Sequence, residues 1–141
     1  MRGLAVVCGL AAACVFAAVP ARASANAGPS ARHGGPVNLV ATPAVKRALR
    51  ASFLRGHPAL RPAQVRGPLR GSVYYARYGP FEWALATFSV PRVGTTDQPE
   101  VFRRRLGGAW IDRGDTGGSL CGVPRAVVRL WGLDKVYGSP C

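Results

Sequence analysis

The sequence predicts an α+β fold: an N-terminal helix, a four-stranded antiparallel meander and a short C-terminal helix, with one disulfide. Apolar residues recur at every fourth position early in the chain, and alternating apolar segments separated by turn residues follow. A last apolar segment is bracketed by proline and glycine. This order of elements is typical of a helix packed on a meander.

Residues 1–23 have the layout of a secretory signal peptide. Arg2 precedes an apolar run over 4–19, and a small-x-small cleavage pattern ends at Ala23. The run is too short for a membrane-spanning helix, so we expect no transmembrane segment after cleavage near Ala23. The chain is therefore predicted to be secreted. A lipoprotein anchored through Cys14 is the alternative, although apolar residues follow this cysteine.

The exported part divides into a leader and one domain. Residues 24–40 are rich in Gly, Ala, Ser and Pro and are predicted to be a disordered leader. Residues 41–141 form a single small α+β domain. Cys121 and Cys141 remain after cleavage, and in an exported chain they predict a disulfide. It closes a loop of about 20 residues, worth roughly 3 kcal/mol in the chain-entropy model.

The first helix is predicted within residues 41–58. Thr42 suits the N-cap, Pro43 suits the first turn, and Gly56 begins the stop signal. The apolar stripe of this helix comprises Val45, Leu49 and Phe53. The proline-containing segment that follows, up to residue 70, is predicted to be an extended connector.

Four strands follow, beginning with residues 71–79. In the second, over 81–90, one face carries Ala84, Ala86, Phe88 and Val90, and the other carries Trp83, Leu85 and Thr87. Because both faces are largely apolar, this strand is predicted to be central and covered on both sides. A polar loop over 92–99 leads to a hairpin about Gly107-Gly108. Pro124 and Gly132 bracket the C-terminal helix.

The charge is strongly asymmetric within a formal net charge of +13. From Ser24 to Phe81 the chain has nine basic residues and no acidic one. Such an excess attracts polyanions, so an anionic cell-envelope polymer or an acidic protein is the predicted partner. A GC-rich genome is the alternative origin of the arginine bias. The residues predicted to make the electrostatic contacts are Lys46, Arg47, Arg50, Arg61, Arg66 and Arg70.

A second candidate surface lies on the sheet. Alternation places Arg103 and Arg105 on one face of a strand and Arg104 on the other. The preferred interpretation is an edge strand whose charges prevent edge-to-edge pairing. The alternative is a binding surface for nucleic acid or glycan. Its residues are Arg103, Arg105, Tyr75, Trp83 and Trp110.

The segment GDTGG at 114–118 is close to the GDSGG of chymotrypsin-like proteases. Thr116 stands at the serine position, and neither His33 nor His57 lies in a recognisable catalytic context. A turn with positive-φ glycines, capped by Asp115, is the simpler interpretation. We expect Asp112 and Asp115 to form a salt-bridged turn about Arg113. The Arg-Gly-Asp tripeptide in this segment also arises readily by chance.

The sequence contains no pattern for a metal or a cofactor. Metal sites need clustered His, Cys, Asp or Glu, and a phosphate-binding loop needs glycines followed by Lys and Ser or Thr. We therefore expect no metal, no cofactor and no catalytic residues.

The stretches WALATF, TTDQPEVFRR, GGAW, GDTGGSLC and VPRAVVRLWGL together resemble small secreted actinobacterial proteins of unknown function. The resemblance covers Gly71 to Leu133. It implies an extracytoplasmic domain with a helix after the cysteine, and it implies no activity.

These observations predict a secreted, non-catalytic binding protein whose basic half associates with anionic surfaces. One alternative is a secreted inhibitor or interaction module that docks on a specific protein through aromatic residues. Another is a small hydrolase that uses Asp112, Asp115 or Thr116.

Overall fold

The computed structural model describes residues 34–90, 94–95 and 98–137 of the chain. They belong to a unit that spans 32–141. The predicted signal peptide, the predicted cleavage near Ala23, Cys14 and Cys141 lie outside the described residues. Secretion and the Cys121–Cys141 disulfide therefore stay predictions.

The predicted α+β class is confirmed: a five-stranded antiparallel sheet is combined with two helices. In spatial order the strands are β1 (Val37–Asn38), β2 (Tyr74–Tyr78), β3 (Phe81–Ala86), β6 (Glu100–Arg105) and β7 (Ile111–Asp115). Between β3 and β6, a separate ribbon pairs β4 (Ser89–Val90) with β5 (Gly94–Thr95). The helices are α1 (Pro43–Gly56) and α2 (Arg125–Leu130).

The predicted count of four strands is wrong, because β1 adds a fifth. Val37 and Asn38 pair with β2 opposite Arg77 and Ala76, and the Leu39 amide donates to the Tyr75 carbonyl. These are backbone contacts, so they form in a segment that has little apolar content. The predicted disordered leader is thus wrong for residues 37–38, whereas residues 24–33 lie outside the described part.

The strand predicted over 81–90 breaks at Thr87. The Thr87 carbonyl accepts from the Leu69 amide, and the Thr87 amide donates to Ser72 Oγ. These bonds tie Thr87 to the end of the connector and to the residues just after it, and the chain then leaves β3 for β4. The predicted polar loop over 92–99 contains strand β5 at Gly94–Thr95.

Both helices begin at residues that favour a helix N-terminus. Thr42 Oγ1 accepts from the Val45 amide at 3.3 Å, and Pro43 occupies the first turn of α1. Pro124 precedes α2, and Gly132, at φ 69°, reverses the chain after it. No helix of the described residues is long and apolar enough to cross a membrane.

The core occupies both faces of the sheet, with β3 between β2 and β6. On the α1 face, Ala84, Ala86, Phe88 and Val90 pack with Leu49 and Phe53. On the α2 face, Trp83 and Leu85 pack with Val127, Val128 and Trp131. The predicted two-faced burial of this segment is therefore confirmed.

Candidate functional site

The predicted basic surface is largely exposed. Arg47 on α1 and Arg61, Arg66 and Arg70 on the connector are solvent-exposed, and Lys46 is half-buried. Within the described residues the ion pairs are Arg104–Glu82 and His57–Asp112, so Arg47, Arg61, Arg66 and Arg70 have no carboxylate partner there. Their positive charge faces solvent.

Arg50 makes hydrogen bonds to the backbone of the connector. Its Nη2 donates to the Val65 carbonyl at 3.0 Å and also to the Pro62 carbonyl, and its Nε donates to Val65 at 3.3 Å. A guanidinium held this way serves the fold, and its assignment as a polyanion contact stays a prediction. The contacts dock the connector on α1 and place Arg61 and Arg66 beside the helix.

The second candidate surface is not formed. Tyr75, Trp83 and Trp110 are only 7, 5 and 4% exposed and belong to the core. Arg103 lies over the Phe81 ring at 4.9 Å and the Trp83 ring at 5.6 Å, and Arg105 lies 6.0 Å from Phe81. These arginines cover apolar rings.

The edge-strand interpretation is also wrong. Strand β6 pairs with β3 on one side and with β7 on the other, so it has no free edge. Arg103 and Arg104 do lie on opposite faces, since Arg103 covers Trp83 and Arg104 lies 4.7 Å over Trp110. The predicted alternation of the arginines between the two faces was right, whereas the predicted position of their strand at the edge of the sheet was wrong.

A buried polar network on the α1 face had no recognisable signal in the sequence. Tyr75 Oη donates to Glu82 Oε1 at 2.6 Å, and Arg104 Nε donates to Glu82 Oε2. Burial raises the pKa of Tyr75, and its hydrogen bond to Glu82 acts in the same direction. The network satisfies a carboxylate that is 8% exposed, which is a structural role.

The protease-like segment forms the predicted turn. Asp115 Oδ1 accepts from the Gly117 amide at 2.8 Å, and Gly114, Gly117 and Gly118 have positive φ. Thr116 is 5% exposed, and its hydroxyl donates to Gln98 Oε1 at 2.7 Å. The Thr116 hydroxyl is thus buried and already bonded.

The salt-bridged turn expected about Arg113 is not found. Arg113 is exposed and makes no ion pair within the described part of the chain. Asp112 instead makes a local turn contact, because its Oδ1 accepts from the Gly114 amide at 2.9 Å. Its Oδ2 lies 3.8 Å from His57 Nδ1.

His57, Asp112 and Glu100 come together where α1 ends against β6 and β7. The His57 ring stacks on Phe53 at 4.1 Å, and Nδ1 donates to the Phe53 carbonyl at 2.9 Å. Glu100 is 4% exposed, and burial, followed by the charge of Asp112, raises its pKa to about 7. Burial also raises the pKa of Asp112, against the opposing effects of the Gly114 amide and His57.

Sequence reasoning missed this grouping, because its members belong to three elements and no local motif joins them. Among the described residues, no group of three or more His, Cys, Asp or Glu side chains is arranged to hold a metal ion.

Comparison of the chain with protein-family models, with curated proteins and with solved structures finds no match. The resemblance to small secreted actinobacterial proteins therefore stays a hypothesis.

Proposed function

We propose that the protein is a secreted, non-catalytic binding protein whose basic N-terminal half holds it on anionic cell-envelope polymers. The observation that carries this proposal is the set of exposed arginines without carboxylate partners in the described residues, namely Arg47, Arg61, Arg66 and Arg70. Mobile cations neutralise a polyanion in solution, and arginines displace them on contact. Binding gains from that release and weakens as salt is added.

The hydrogen bonds of Arg50 indicate that the basic residues of α1 and of the connector form one patch, and not a set of scattered charges. Arg50 holds the Pro62–Val65 backbone against α1. Lys46 and Arg47 lie one turn before it on the helix. The connector arginines thereby flank a helix surface that is already basic, which increases the local potential.

The alternatives gain less support. An interaction module would use an aromatic hot spot, and Tyr75, Trp83 and Trp110 are buried. A hydrolase built on Asp112, Asp115 or Thr116 would use side chains that already make hydrogen bonds. Asp112 accepts from the Gly114 amide and Asp115 from the Gly117 amide, and Thr116 donates to Gln98.

The test is retention of the secreted chain on isolated actinobacterial cell envelopes across a salt series. Deleting the basic half would remove Leu49 and Phe53 from the core, so substitutions are preferable. The test variant changes four exposed arginines to glutamine: Arg47, Arg61, Arg66 and Arg70. The matched control removes four exposed charges elsewhere: Arg113, Arg125, Arg129 and Lys135.

We expect wild type and control to be retained at low salt and released as salt rises. The test variant should bind weakly, with a log–log salt slope smaller by about three, since each lost contact removes roughly 0.7–0.9 of slope. Equal losses in the two variants would refute a localised patch and leave net charge as the cause. Retention indifferent to salt would refute the proposal and favour a specific protein partner.

A further inference from the structure

A cavity of about 480 Å³ opens at the C-terminal end of α1. Phe53, Pro58, Leu60 and Val90 supply apolar walls, and Glu100 contributes a carboxyl group. This volume lies within the range of small-molecule sites, roughly 300–1,000 Å³, which combine apolar walls with few polar groups. None of the exposed arginines on which the proposed function rests lines this cavity.

Glu100 is a poorly satisfied group in this wall. Its Oε2 is buried and has no hydrogen-bond partner within the described residues, and the same holds for Asp112 Oδ2. The Asp112 side chain is 7% exposed. Buried carboxyl oxygens without donors are costly, and they are rare in native structures without a functional reason.

The surroundings offer little compensating charge. His57 faces Glu100 from the end of α1, whereas Asp112 and Asp115 face it from β7. His57 Nδ1 already donates to the Phe53 carbonyl. The charged groups that act on Glu100 are thus two carboxyl groups and one histidine, in a chain whose net charge is strongly positive.

We propose that this cavity binds a small primary ammonium ion with an apolar body, with the ammonium on the Glu100 carboxylate and the apolar body against Phe53, Leu60 and Val90. An ammonium has three donors, which suits an acceptor that has no donor of its own. Its charge offsets the repulsion between Glu100 and Asp112. A metal ion is a poorer occupant, because no suitable cluster of ligands exists among the described residues.

The test titrates the secreted chain at pH 8 with n-hexylammonium, 1-hexanol and hexanoate, followed by NMR chemical shifts. The three probes share an apolar chain and differ in the charge of the head group. We expect saturable binding of hexylammonium, at least about tenfold weaker binding of hexanol, and no binding of hexanoate. At pH 5.5, where Glu100 is protonated, the preference for ammonium should disappear.

Two variants locate the effect. Glu100→Gln keeps the side-chain shape and should lose the preference of about tenfold for ammonium over hexanol. Asp134→Asn makes the same change of charge after α2 and should bind as wild type does. Circular dichroism shows whether each variant is folded, and binding of hexanol shows whether the cavity persists.

Three outcomes would overturn the proposal. They are equal affinity for hexanol and hexylammonium, unchanged ammonium affinity in Glu100→Gln, and no ammonium binding up to about 10 mM, a concentration at which millimolar dissociation constants are still visible. None of these outcomes bears on envelope retention, so the two proposals fail independently.

Discussion

Replacing Glu100 by glutamine should stabilise the protein at alkaline pH. The substitution keeps the shape of a side chain that is 4% exposed and removes its ionisation. The pKa of Glu100 is raised from 4.5 to about 7, chiefly by burial and then by the charge of Asp112. His57 opposes this shift, and Asp115 adds to it.

A raised carboxyl pKa means that the native state keeps a proton that the unfolded chain has released. The contribution of Glu100 to stability is therefore greatest below pH 4.5 and is lost as pH rises towards 7. Each pH unit in this window changes the free energy of unfolding by about 1.4 kcal/mol. At pH 8, ionised Glu100 therefore lowers the free energy of unfolding by an amount on the order of 3 kcal/mol. Glutamine does not ionise and avoids this cost.

Urea unfolding at pH 5, 6, 7 and 8 measures the effect. Trp83, Trp110 and Trp131 are buried, so their fluorescence reports global unfolding. We expect the free energy of unfolding of Glu100→Gln, relative to wild type, to rise by about 2–3 kcal/mol between pH 5 and pH 8. Asp134→Asn should show no such rise. A constant difference between Glu100→Gln and wild type would refute the reasoning, because it would mean that Glu100 titrates as a solvated carboxyl.

Three further substitutions test the fold around the candidate sites by urea unfolding. Arg50→Ala should lower the free energy of unfolding by about 1–3 kcal/mol, because it removes a charged donor from the Val65 and Pro62 carbonyls; an unchanged value would mean that the guanidinium is solvated. Tyr75→Phe should lower it by about 1–3 kcal/mol, since Glu82 Oε1 loses a buried donor, and a neutral result would show that water replaces the hydroxyl. Leu49→Ala should cost about 2–5 kcal/mol, because Leu49 is fully buried between α1 and the sheet; a cost below 1 kcal/mol would contradict this packing.

The central strand was predictable, because its side chains alternate between two apolar faces. Phe88 and Trp83 lie on opposite sides of the sheet, as the pattern requires. Strand β1 was not predictable, because Val37–Asn38 joins the sheet through backbone bonds that carry no pattern. The end of β3 at Ala86, within the strand predicted over 81–90, was missed for a similar reason, since tertiary bonds to Leu69 and Ser72 divert Thr87.

The exposed arginines were also predictable in part. Composition identified a basic half, but it treated Arg50 and Arg47 alike, although only Arg47 faces solvent freely. Which guanidinium binds a carbonyl depends on how the connector lies on α1, and that is a tertiary property. The cluster of His57, Glu100 and Asp112 depends further on the β6–β7 register, which is irregular between Glu100 and Phe102.

The salt dependence of binding distinguishes the two proposed sites, because one binds an anion through exposed arginines and the other binds a cation through a buried carboxyl group. Exposed arginines bind a polyanion through interactions that mobile ions screen over about 10 Å at 0.1 M. The Glu100 carboxyl is buried, so its contact with an ammonium is screened much less. A small cation also approaches against the field of a chain with a net charge of +13, and salt weakens that repulsion. Raising salt should therefore release the chain from envelopes while leaving ammonium affinity constant or increasing it, and a parallel fall of both would show that a single electrostatic surface serves both ligands.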